Sequence, residues 1–138
     1  MDNKTIVNLI EQAIKAKKAA YVPYSGFKVG AALLTACDTI IPGCNVENAA
    51  LSPGSCAERT AFNAAVAQGY REFKAIAVVG GMGDDLAEGC FPCGVCRQVM
   101  AEFCKDEFVI IVAQSPSNYM IHTLPEILPY RFGPANLS

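Results

Sequence analysis

Two short apolar runs, "FKAIAVVG" (73–80) and "FVIIVAQ" (108–114), flank a segment with helical spacing, "PCGVCRQVMAEFC" (92–104). Each run is too short for a buried helix, and each is rich in residues that suit a strand covered on both faces. Two such strands joined through a helix make a crossover, and a crossover brings its strands side by side in parallel. That one unit points away from an all-helical or all-antiparallel fold.

The remaining elements are arranged around it. "FKVGAALLT" (27–35) and "TIIPGCNV" (39–46) read as strands, with "ACD" as a short hairpin loop. Residues 3–20 read as an amphipathic helix in which Ile6, Leu9, Ile10, Ala13 and Ala16 share a face. Asp2 or Asn3 can cap it, and Pro23 ends it, with "VPYSGF" as the loop. "SCAERTAFNAAVAQG" (55–69) predicts a second helix, with Ser55 as N-cap, Glu58 completing a capping box and Gly69 as the stop. "NYMIH" (118–122) is a weaker fifth strand. Thr123 and Glu126 form another capping box before a short helix, and "LPYRFGPANLS" is a tail. The order α-β-β-α-β-α-β-β-α predicts an α/β fold. We expect a three-layer α/β/α sandwich on a mixed five-stranded sheet, in one domain spanning 1–138.

Composition narrows the function classes. The net charge is −2 and no basic run exists, which argues against a nucleic-acid partner. Lys15, Lys17 and Lys18 read as a solvated helix face. The longest apolar stretches, such as 108–113, are far too short to span a bilayer. The start, "MDNKTIVNLI", lacks the basic and apolar regions of a signal segment, so a cytoplasmic protein with no membrane partner is expected. Thiols there stay reduced, and seven cysteines cannot all pair within one chain. The 52% hydrophobic content exceeds what a core of this size needs. It suggests a subunit interface, since obligate interfaces resemble cores.

The cysteines then become informative. Cys56 falls at the start of the second predicted helix, and Cys93 and Cys96 fall at the start of the third. Side chains three apart share a helix face. Two helix starts can therefore present three thiolates to one point, and helix N-termini favour negative charge. Zinc takes thiolates at about 2.3 Å, and three protein ligands with one open position is its catalytic form. Glu58, two residues after Cys56, is a poor ligand beside soft sulfurs but can take a proton from a water that zinc activates. Three thiolates around Zn²⁺ leave one net negative charge. The helix termini offset part of it, and Arg59 can lie over the cluster on the same face as Cys56. Arg97 reads equally well as a surface charge.

"VPYSGFKVGAALLT", "GCNVENAA", "CAERTA", "PCGVCRQVM" and "LPYRFGP" occur in this order over nearly the whole chain. Together they resemble the short, three-cysteine, homotetrameric members of the cytidine and deoxycytidylate deaminase family. The wider zinc deaminase class shares the same signature. The resemblance implies hydrolytic deamination of cytidine and deoxycytidine to uridine and deoxyuridine plus ammonia, as in pyrimidine salvage. It implies one zinc per chain on Cys56, Cys93 and Cys96, with Glu58 as the proton shuttle. It also implies that Asn45 and Glu47 hold the ribose hydroxyls, that Phe27 packs against the pyrimidine, and that the Ala57 N–H meets the O2 edge of the base. Phe132 resembles an aromatic that enters a neighbouring subunit's site in a homotetramer. Taken alone, Asn45 and Glu47 fit loop capping, and Phe27 and Phe132 fit plain core. Leu51 departs from the family, where tyrosine usually follows "ENA". The 80–91 loop and Phe91 also depart from the compact pattern. Cys37, Cys44, Cys90, Cys104 and His122 stand outside the ligand motifs.

Three rival functions remain. A redox dithiol would use "CGVC" but has no need of Cys56 or Glu58. A structural zinc module needs a fourth ligand, and none has suitable spacing. A deaminase for a nucleotide, an RNA adenine or a cytosine-bearing antibiotic would keep the zinc motif. "GCNVEN" favours an unphosphorylated ribose.

Overall fold

The computed structural model describes all 138 residues. Helix α1 (Asn3–Lys17) begins on Asp2, whose carboxylate accepts from the Thr5 N–H at 2.8 Å. Strands β1 (Phe27–Thr35) and β2 (Ile40–Cys44) form the hairpin, and α2 (Ala57–Ala67) follows. Then come β3 (Phe73–Met82), α3 (Gly94–Phe103), β4 (Val109–Ser115), β5 (Asn118–Thr123) and the short α4 (Leu124–Ile127). A single 3₁₀ turn (Pro134–Asn136) closes the tail.

The sheet order is β2-β1-β3-β4-β5. Strands β3 and β4 pair in parallel, as the crossover requires, and every other pairing is antiparallel. Alternation along the strands feeds two cores. Ala32, Leu34, Ala75, Ala77, Val79 and Ile111 face α1, which packs Ile6, Leu9, Ile10 and Ala13 against them. Leu33, Ile41, Ile76, Val78, Ile110 and Val112 face the other way, onto α2 and α3. Helices thus cover both faces of a mixed five-stranded sheet, as expected.

Topology places the site. Strands β2 and β3 run the same way, on either side of β1. The helices that follow them, α2 and α3, therefore begin at the same end of the sheet, beyond the carboxyl ends of β2 and β3. Gly43 lets α2 come in close: a Cβ there would stand 2.3 Å from the Ala57 carbonyl oxygen. The first turn of α2 thus rests directly on β2.

The structure corrects several details. The α2 cap is Cys56, in extended conformation, with no side-chain capping bond. The expected Ser55–Glu58 capping box does not form. Ser55 is held instead by an antiparallel bridge to Val46, and its hydroxyl accepts from Thr60 Oγ1. Strand β3 runs two residues past Gly80, because β1 offers it partners out to Phe27. That shortens the predicted 80–91 loop. Helix α1 stops at Lys17, before Pro23. Lys17 is not solvated: it is 3% exposed, and its Nζ donates to the Gly83 carbonyl at 2.5 Å. Burial lowers its pKa. No helix is long and apolar enough to cross a membrane.

Candidate metal centre

Cys56 and Cys93 occupy the N-cap positions of α2 and α3, and Cys96 follows one turn into α3. Their three sulfurs all lie within 4.8 Å of one another. Cys56 Sγ is 3.7 Å from Cys93 Sγ, which is 3.4 Å from Cys96 Sγ. Three sulfurs on a tetrahedron around zinc at about 2.3 Å stand roughly 3.8 Å apart. The donors are soft, converge from two helix starts and leave one corner open, so they fit zinc in its catalytic form. Cys37, Cys44, Cys90 and Cys104 remain unpaired outside this cluster.

The charge balance around these thiols is visible. Hydrogen bonding with Cys96 and from Arg59 draws the Cys56 thiol down to about 5. Arg59 Nη2 donates to Cys56 Sγ at 3.4 Å, and this bond raises the guanidinium's own pKa. The hydrogen bond with Cys56, then burial, pushes the Cys96 thiol up. The free N–H groups of the two helix starts add positive potential on the same side.

Glu58 lies on the first turn of α2 and is 4% exposed. Burial, followed by the Cys56 thiolate, pushes its carboxyl up to about 7. A carboxyl tuned to that value exchanges protons readily near neutrality. Ala57 is fully buried at the first helical position, where an N–H has no acceptor within the helix.

An open cleft of about 540 Å³ reaches Cys56 alone of the three thiols; its lining includes Ser25, Asn45, Glu47, Leu51 and Arg59 but not Phe27, Ala57 or Glu58. Glu47 is fixed by the 21–26 loop. Its carboxylate accepts from the Ser25 hydroxyl at 2.5 Å and from the N–H groups of Tyr24 and Ser25 at 3.0 and 3.1 Å. The Ser25 hydroxyl bond leads in lowering its pKa, so it stays charged. Asn45 is pinned to β1: Nδ2 donates to the Phe27 carbonyl at 2.9 Å, and Oδ1 accepts from the Val29 N–H at 2.8 Å. Its amide is therefore fixed before any ligand arrives. Phe27 packs where Gly80 leaves room. A Cβ there would come within 3.0 Å of the ring and 2.4 Å of Cys90 Sγ. Burial, then the charges of Glu58 and Cys56, raises the Cys90 thiol to about 11.

Phe132 and Leu51 are both exposed. Phe132 is 58% exposed and is absent from the lining of its own chain's cleft. Leu51 is 80% exposed on the cleft rim, with a positive φ of 65°. A branched residue in that region is strained. Sequence reasoning missed Ser25 as the anchor of Glu47, although "YSGF" placed it in the right loop. It weighed Arg97 as a charge beside the cluster or on the surface, but not its partners: Arg97 donates to the Pro92 carbonyl at 2.7 Å and the Ile127 carbonyl at 2.6 Å. His122 stands outside the cluster, 3.5 Å from Glu126 and against the Phe91 ring. A second cleft of about 500 Å³ lies at the amino ends of β3 and β4 and includes none of the site residues.

Residues 3–112 match the model of the cytidine and deoxycytidylate deaminase zinc-binding region. A cytidine deaminase from Sporosarcina psychrophila is 46% identical over 133 residues, covering 96% of this chain and 95% of that one. The crystal structure of a cytidine deaminase from Burkholderia pseudomallei superposes with a TM-score of 0.81 at 45% identity, covering 91% of this chain and 97% of that chain. One from Mycobacterium tuberculosis gives a TM-score of 0.76 at 36% identity, covering 91% and 95%. Three thiols converging from two helix starts, a buried glutamate beside them and relatives matched over almost their full length lead to one assignment: the chain belongs to the cytidine and deoxycytidylate deaminase family.

Proposed function

We propose that the chain, as one domain over residues 1–138, deaminates cytidine and deoxycytidine to uridine and deoxyuridine, with release of ammonia. Its place is then in pyrimidine salvage. The observation that carries this reading is Glu58, buried on the first turn of α2 beside three zinc-fitting thiols. Cys56, Cys93 and Cys96 would hold zinc, which would lower the pKa of a water at the open corner. Glu58 takes one proton from that water and passes it to N3 of the base, which makes C4 a better electrophile, and the water oxygen adds to C4. Glu58 then moves the remaining proton of that oxygen to the amino nitrogen, the C4–N bond breaks, ammonia leaves and C4 keeps the oxygen as a carbonyl. Asn45 and Glu47 present fixed polar groups to the ribose hydroxyls. Phe27 supports the pyrimidine ring, and the free N–H of Ala57 meets its O2. The ionised Glu47 disfavours a phosphorylated sugar at the same place.

Loss of ultraviolet absorbance tests the substrate class. Cytidine and deoxycytidine should be consumed, while dCMP and adenosine persist. Turnover of dCMP or adenosine in place of the nucleosides would contradict the reading.

Arg59 balances the excess negative charge of three thiolates. Arg59→Gln should keep its zinc and lower kcat by about tenfold or more, the scale of one charged hydrogen bond. Unchanged kcat would show that the helix termini suffice.

Oligomerisation completes the site in this reading. Tyr24, Leu51 and Phe132 are large apolar side chains left exposed, and a second copy of the chain can cover them. We infer a homotetramer in which Phe132 enters a neighbour's cleft and shuts out water. Phe132→Ala should then raise KM for cytidine with zinc content unchanged. A fully active monomer in light scattering under assay conditions would rule the shared site out.

A further inference from the structure

Helix α3 holds more than two zinc thiols. Arg97, one residue after Cys96, is half-buried and spans two distant backbone segments. Its Nε donates to the carbonyl of Pro92, immediately before Cys93, at 2.7 Å. Its Nη1 donates to the carbonyl of Ile127, at the end of α4, at 2.6 Å. The next residue, Gln98, donates from Nε2 to the Phe132 carbonyl at 2.8 Å. Arg131 pairs with Asp106, just beyond the same helix. One turn of α3 therefore fastens the zinc-ligating turn on one side and the segment carrying Phe132 on the other. A guanidinium bridges two carbonyls through its rigid fork, whereas a lysine reaches one at a time. Both Arg97 bonds are charge-assisted, so each is stronger than a neutral one.

We infer that Arg97 is a positioning residue that locks the Pro92–Cys93 turn to the end of α4, so that zinc retention and the path of the segment leading to Phe132 both draw on one side chain, with Gln98 and Arg131 holding that segment further on. The part concerning Phe132 rests on the deaminase reading above. The tie between Pro92 and Ile127 does not.

The test uses the zinc-loaded protein. Arg97→Gln removes both donations. Amide hydrogen exchange across residues 128–133 should speed up by about tenfold, the loss expected for one charged hydrogen bond. Zinc transfer to an excess of chelator should speed up by a similar factor. KM for cytidine should rise, with kcat within about threefold of wild type, as befits lost binding rather than lost chemistry. Adding Phe132→Ala to Arg97→Gln should raise KM no further than Phe132→Ala alone, because the arginine acts through that ring. If the two effects on KM multiply, the coupling is wrong. If Phe132→Ala by itself leaves KM unchanged, the shared-site reading fails, and exchange and zinc release still decide the tie. Wild-type exchange and wild-type zinc release in Arg97→Gln would overturn it. Should Arg97→Gln not fold, Arg97→Lys carries the same measurements: faster exchange and faster zinc release support the tie, and wild-type values overturn it.

Discussion

Glu58→Gln is expected to abolish deamination while leaving zinc and fold in place. Glutamine has nearly the same shape, so the packing around position 58, which is 4% exposed, is kept. It also removes a carboxyl that burial holds up to about 7, so no buried charge is left uncompensated. What it cannot do is carry a proton between water, N3 and the leaving amine. The loss should be at least about 10²–10⁴-fold in kcat, the usual scale of general acid–base catalysis. The pH profile gives an independent sign. In the proposed mechanism Glu58 acts first as a base, so kcat/KM should rise with pH as its carboxyl ionises. A nearby cation draws a carboxyl down, so in the zinc-loaded enzyme this limb should lie at or below about 7. The residual activity of Glu58→Gln should lack it. Activity within about tenfold of wild type would mean that Glu58 is no proton carrier.

Removing any one thiol should cost both metal and reaction. Cys56→Ala, Cys93→Ala and Cys96→Ala each leave two donors where zinc needs three protein ligands to keep its catalytic form. Zinc per chain, measured by atomic absorption after dialysis, should fall well below the wild-type value. Activity should fall by about 10³-fold or more, because the several kcal/mol of Lewis-acid stabilisation goes with the ion. Cys96→Ala should also loosen α3, since that side chain is fully buried, whereas Cys93 is exposed. Cys37 sits in the exposed β1–β2 turn, where hydrogen bonding from Thr35 lowers its pKa. Cys37→Ser should keep zinc and activity, which separates loss of a ligand from loss of a thiol. A metal-free variant with full activity would contradict the zinc assignment.

The elements that can be read from the sequence are those with a strong local signal, the three-and-four spacing of α1 and the short apolar runs of β3 and β4. Strand β3 carries an unbroken apolar run, the mark of a strand covered on both faces, and its neighbouring residues divide between the two cores. The cysteine array was legible because each thiol lies next to a helix start, and helix starts carry their own sequence marks. Local signals failed where a distant partner took over. Ser55 and Glu58 have the spacing of a capping box, yet Ser55 is drawn into a bridge with Val46 and Glu58 is turned into the site. Lys17 looks like a surface charge until the Gly83 carbonyl, 66 residues away in the chain, accepts from it. Arg97 meets Ile127 across 30 residues, and no pattern within α3 announces that contact. The fixing of Asn45 by β1 was hidden for the same reason. Its two backbone partners, Phe27 and Val29, come alongside only when the hairpin closes.

The most direct test of the account follows the oxygen. Zinc-loaded wild-type protein would be given cytidine in heavy-oxygen water, with uridine analysed by mass spectrometry and ammonia assayed in the same sample. Hydrolytic deamination driven by Glu58 predicts one heavy oxygen at C4 of each uridine and one ammonia released per uridine formed. Uridine without the heavy oxygen, or cytidine left unconverted by protein carrying its full zinc, would contradict it.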